Sequence, residues 1–160
     1  MAHASDAENS ALATVRKLLL AILAIGMAGT AMDLLLLKHY EDAWQAPPLV
    51  LLSAGLIVLA LMWTDPGRTT VRTFAALMGL FILSGLAGLA LHYNGNLEFQ
   101  REIDPTQSGW PLFMAVIRAK APPALAPAAM IQLGLIGLLS IYRHPALNRS
   151  LPSSTRPIQE

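Results

Sequence analysis

"LLLAILAIGMAGTAMDLLLL", Leu18 to Leu37, holds twenty residues and a single charge, Asp33. An α-helix rises about 1.5 Å per residue, so this block matches the roughly 30 Å hydrocarbon core of a bilayer. Its apolar side chains run on without the three-to-four spacing of an amphipathic helix, and every face of the helix must therefore meet lipid or another helix. Composition agrees with a membrane class: 54% of the 160 residues are hydrophobic and only 13% are charged, well away from the balance of a soluble domain.

Three further blocks lie C-terminal to the first. Leu49 to Trp63 follows Pro47 and Pro48, which can occupy a first helical turn. Phe74 to Leu91 carries no charge, and Ala121 to Tyr142 is interrupted only by Gln132. The blocks predict an all-α integral membrane four-helix bundle, with helices over 16–38, 47–63, 72–92 and 121–142. One domain over 14–146 is expected between tails 1–13 and 147–160. Gly26, Thr30, Ser84, Gly88, Gly134 and Gly137 offer small faces for close helix approach, Gln132 can hydrogen-bond between helices, and Pro127 is expected to bend the last one.

Between the spans, Arg16, Lys17, Arg68, Arg72, Arg143, Arg149 and Arg156 fall on one side, against Lys38, Arg101, Arg118 and Lys120 on the other. The excess of positive charge places both termini in the cytoplasm. In size the chain is similar to small four-span bacterial membrane proteins, so a bacterial inner membrane is the expected location. A secretory signal peptide, cleaved near Gly29 or Ala31, is the rival reading of the first block.

An internal repeat opposes cleavage. "TVR" stands at Thr14 to Arg16 and at Thr70 to Arg72, each ahead of a block that ends in His-Tyr, at His39 and His92. "APP" opens the partner block in both halves, "GLI" recurs at Gly55 and Gly134, and the blocks close as "WTDP" (Trp63 to Pro66) and "YRHP" (Tyr142 to Pro145). The same order in both halves predicts two pseudo-repeated helix pairs related by an axis along the membrane normal. The halves differ in their outer loops, and the longer one predicts a short interfacial helix over 110–119, capped by Ser108, with Pro111 in its first turn. Trp110, Phe113, Met114 and Ile117 share one face of that helix; Trp110, Phe113 and Ile117 are expected to anchor it in the headgroup zone, with Arg118 and Lys120 snorkelling at its end.

Several function classes lose support here. A net charge of +1 with scattered basic residues offers no patch for nucleic acid. Cysteine is absent, which removes disulfides, thiolate catalysis and cysteine-held metal. No serine elbow, glycine-rich phosphate loop or cofactor fingerprint occurs.

The polar residues that remain gather behind the first and third blocks. His39 and His92, completed by Glu98 and Glu102 or by Glu41 and Asp42, have the ligand types that hold a divalent metal such as zinc, iron or manganese. If Asn96 caps a short helix, Glu98 and Glu102 share a face that can turn back towards the two imidazoles. The competing reading makes His-Tyr at a helix end an amphipathic anchor. Haem is disfavoured, because histidines at helix ends hold a porphyrin poorly between helices. Asp33, an acid inside a span, needs water, a proton or a partner, and His92 is the partner expected for a polar site or ion pathway.

Two functions fit this reading. The first is a non-catalytic subunit, scaffold or assembly partner that associates with other membrane subunits or with its own copies. The second is a transporter or sensor of a small solute or ion, with Asp33, His39, His92 and Glu98 lining an outward cavity.

Overall fold

A computed structural model describes residues 2–120 and 123–148. The helices in chain order are α1 (Ala2–Leu36), α2 (Ala46–Thr64), α3 (Arg68–Ile103), α4 (Gly109–Ile117), α5 (Ala128–Ser140) and the single turn α6 (Pro145–Asn148), and no strand occurs among the described residues. Three segments are long and apolar enough to cross a membrane: Ser10–Leu36, Ala46–Thr64 and Arg68–Ile103. Helix α5 is also apolar, but its 13 residues span only about 20 Å.

Helix α1 touches α2 and α5, α2 touches α3, and α3 touches α5, while α4 packs on α3. Val71, Phe74, Met78, Phe81 and Gly85 form the buried stripe of α3, with the alternating three and four spacing that keeps one face of a helix in register. Leu23 and Met27 of α1 and Leu52 of α2 complete the fully buried centre. The outward faces are equally apolar, since Ile22, Ile25, Val50, Ile57, Leu83 and Leu135 are all exposed. With greasy residues on both sides, burial of apolar surface cannot select the helix faces, and shape must do so.

The α3–α5 seam shows that selection. A Cβ built on Gly134 would lie 2.6 Å from the carbonyl oxygen of Met78 and 3.2 Å from the amide nitrogen of Ile82. One built on Gly85 would lie 2.9 Å from both the Ile131 nitrogen and the Pro127 oxygen. Backbone meets backbone at both points, so only glycine fits.

Helix limits differ from the sequence expectation in three places. Helix α1 begins at Ala2, so the expected tail over 1–13 is helical from its second residue. Helix α3 passes through His92, Asn94 and Gly95 and ends at Ile103. Glycine inside a helix costs about 1 kcal/mol, and tertiary packing offsets it: Asn96 is 2% exposed, and Tyr93 meets the ring of Phe113 on α4 at 6.4 Å. The stop is Pro105, which keeps Asp104 extended at φ −140, ψ 91. Helix α5 starts later than expected, after Pro127 at its N-cap with φ −65; this proline opens the helix instead of bending it. Ala121 and Pro122, which begin the second "APP", and the tail beyond Asn148, with Arg149 and Arg156, lie outside the described residues.

Candidate functional site

Polar groups collect at both ends of the helix array. At the His39 end, α1 closes through backbone bonds from His39 N–H to the Leu34 carbonyl (2.8 Å) and from Lys38 N–H to the Leu35 carbonyl (3.0 Å). Lys38 takes φ 53 to allow this, the left-handed position that normally selects glycine. The turn leaves His39 half-buried, and burial, followed by the nearby His92, holds its imidazole below the usual histidine range. His92 sits 2.9 Å through Nδ1 from the Pro123 carbonyl. A carbonyl only accepts, so Nδ1 carries the proton and ties the segment ahead of α5 to α3.

The two histidines are therefore near each other, and the expected acids are not with them. Glu98 and Glu102 lie six and ten residues beyond His92 on the same unbroken helix, about 9 and 15 Å further along its axis. Both are exposed. Among the described residues no three His, Asp or Glu side chains converge to hold a metal ion. The expected set His39, His92, Glu98 and Glu102 is not brought together, because Asn96 is a buried mid-helix residue of α3 and not the cap of a second helix that could fold back. Asp33 is likewise exposed, on the outside of α1. Gln132 is exposed too, so it does not bridge helices within this chain.

Beyond His92, α4 lies along the extension of α3. Leu112 and Val116 are its buried residues. Of the three expected anchors, Trp110 is 69% exposed, Phe113 stacks on it at 5.2 Å, and Ile117 is half-buried. The packing pair Leu112 and Val116 is a four-residue repeat beside the aromatic face; sequence reasoning passed over it because rings give the stronger amphipathic signal. Ahead of α4, the Asp104 carboxylate accepts bonds from the Thr106 hydroxyl (2.6 Å) and amide (3.0 Å). These bonds hold its carboxyl below the ordinary range and lock the turn that follows α3.

The opposite end contains the cavities. Arg16 of α1 donates from Nε to the Ser140 carbonyl at 3.1 Å and from Nη2 to the Tyr142 carbonyl at 3.4 Å. A cation thus meets the free carbonyls at the C-terminus of α5. His144, in the turn after α5, is 7% exposed, and its Nδ1 accepts from the Ala146 amide at 3.2 Å. Burial, and then the charge of Arg16, hold this imidazole low. Arg16, Gly67, Arg68 and His144 contribute to the walls of a cavity of about 380 Å³. A smaller one of about 170 Å³ adjoins it and reaches Leu20, Met62 and Trp63.

None of this was among the expected sites. Its only sequence signal was the pair of matching endings, "WTDP" and "YRHP", which the fold brings to facing walls of one pocket through Pro66 and Pro145. No protein-family model, curated protein or solved structure matches the chain.

Proposed function

We propose that the chain is a multi-pass membrane protein acting as a non-catalytic subunit or assembly partner of a larger membrane complex. The observation that carries this reading is the overreach of α3. Its 36 residues extend about 54 Å against a hydrocarbon core of roughly 30 Å. The surplus emerges at the His92 end with α4 against it. On that projecting hairpin Phe99 is 55% exposed and Ile103 is 64% exposed, four residues apart and hence on one helix face, with Glu98, Arg101 and Glu102 exposed around them. An apolar centre with a charged rim is the usual make-up of a protein interface.

On this reading α5, lengthened by the segment Pro123 to Pro127 ahead of it, serves as a fourth span, and the sequence repeat pairs α1 with α2 and α3 with α5. In a bacterial inner membrane, the excess of Lys and Arg on the side of the termini favours a cytoplasmic position for both termini and an outer position for the α3 extension. Transport is the weaker reading, because the centre between the helices is filled by Leu23, Met27, Leu52, Phe74 and Phe81.

The test is isolation of the tagged full-length chain from its native membrane in mild detergent. A stoichiometric second subunit should comigrate with it and be released by the paired substitution Phe99→Glu, Ile103→Glu, with helix content unchanged. A chain that migrates alone overturns the proposal.

A further inference from the structure

We propose that the inner pocket between α1, the α2–α3 turn and the α5–α6 turn binds a phosphate group, that of an anionic phospholipid headgroup. Arg16 and Arg68 line the pocket with His144, and no Asp or Glu does so. Of the nearest acids, Glu8 is paired with Arg143 at 3.3 Å. Asp65 stands beside Gly67, its Oδ1 3.6 Å from where a Cβ on that glycine would be, and is exposed. The pocket is thus a concentration of cations at the height where the apolar helices end, which is where headgroups lie.

Donor geometry narrows the ligand to an oxyanion. Arg16 uses two N–H groups on the carbonyls of Ser140 and Tyr142, and this fixes its planar fork while leaving further donors for a ligand. His144 accepts at Nδ1 from Ala146, so its neutral ring carries the proton on Nε2, a donor on a side chain that lines both cavities. Helix α3 starts on the pocket wall, with Gly67 as N-cap and Arg68 as first residue, and a helix N-terminus supplies amide donors and the positive end of its dipole. Guanidinium, imidazole N–H and open amides together suit a tetrahedral phosphate better than a planar carboxylate.

A free phosphate offers the same chemistry, and the shape of the site favours the lipid. The smaller cavity shares Arg16, Pro66 and His144 with the larger one and continues past Leu20 and Met62 to Trp63, which is half-exposed on the outside of α2. A basic chamber with an apolar side passage suits a headgroup whose acyl chains lie along the helices. Both matching sequence endings reach this wall, one through Pro66 and the other through His144 and Pro145.

The experiment uses the full-length protein, delipidated in neutral detergent, with binding read by native mass spectrometry and by thermal stabilisation. Probes are phosphatidylglycerol, phosphatidylcholine and inorganic phosphate. Phosphatidylglycerol is expected to bind at least about tenfold more tightly than phosphatidylcholine, and Arg68→Gln to remove that preference. Arg72→Gln, also exposed on the first turns of α3 but outside the pocket, should leave it intact, and Asp65→Asn should strengthen it. Inorganic phosphate that binds and is lost in Arg68→Gln, without a lipid preference, would keep the phosphate site and change its ligand to a soluble one. Equal retention of both lipids by the wild type, or an equal loss from Arg68→Gln and Arg72→Gln, overturns the site.

Discussion

The two ends of this helix array invert the relation between polar residues along the chain and polar residues in space. The His92 end, the outer one in the proposed orientation, has the denser sequence, with His92, Glu98, Arg101, Glu102 and Asp104 within thirteen residues, yet an unbroken helix strings them out along its axis. The inner end draws Arg16, Arg68 and His144 from three distant parts of the chain and closes them around a cavity. A run of functional side chains on one helix is spread by the 1.5 Å rise and the 100° turn of each residue. Chain reversals, by contrast, bring residues together from afar.

Breaking the seam that holds both ends in place should have the largest effect. Gly134→Leu forces side-chain atoms towards the Met78 carbonyl, only 2.6 Å from where the new Cβ would lie, and α3 and α5 must separate. A loss of about 3 kcal/mol is expected, read as a lower unfolding midpoint in detergent. Gly29→Leu on the open side of α1, where a Cβ meets nothing within 4 Å, should change stability by less than about 0.5 kcal/mol. Comparable losses from both would mean that the seam is not the main constraint.

Arg16→Ala tests the inner end alone. It removes the cation that satisfies the carbonyls of Ser140 and Tyr142, and about 2 kcal/mol should be lost. Arg101→Ala on the exposed outer extension should cost under about 0.5 kcal/mol. If the two substitutions destabilised equally, the contrast between a closed end and a spread end would fail.

The contrast also explains what could be read from the chain. The apolar blocks from Leu18, Leu49 and Phe74 were legible because uncharged runs of this length fit a membrane span, and all three lie in helices long and apolar enough to cross one. The ends of helices were less legible. The expected helix end at 92 is overridden: α3 runs on through Asn94 and Gly95, and the packing of Phe113 of α4 on Tyr93 is a tertiary event with no local mark. Pro105 and Pro127 stand at boundaries in the fold, because a proline acts on its own backbone and on the residue before it, although Pro127 was expected to bend a helix and not to open one. The inner pocket was illegible for another reason: Arg16, Arg68 and His144 have no common spacing, and only the topology joins them.

Lys38→Gly should sharpen the outer end. Lysine at φ 53 carries a steric cost of about 1 kcal/mol that glycine avoids, and the closing bonds of His39 and Lys38 to α1 are made by backbone alone. Stability should rise by somewhat less than that amount, since glycine also loosens the unfolded chain. A fall in the unfolding midpoint would show that the Lys38 side chain contributes more than its backbone strain costs.

Acid should separate the ends with the smallest effect. His39 and His144 are both held below the usual histidine range in the folded chain, chiefly by burial. Below the unfolded value of about 6.5, the unfolded chain therefore binds protons that the folded chain resists, and stability falls as pH falls. Above that value both states are neutral and the contribution is complete. His39→Gln should remove the outer share of the acid loss and leave the inner one, so that stability declines less steeply between about pH 6.5 and pH 5. An anion in the inner pocket should do the reverse: a phosphate beside His144 stabilises imidazolium and raises its pKa, cancelling the inner share while the outer one persists. Unfolding midpoints across this range, for wild type and His39→Gln with phosphatidylglycerol or phosphatidylcholine, measure both shares in one series. Superimposable acid limbs for wild type and variant in phosphatidylcholine would show that burial of His39 has no energetic consequence at the outer end.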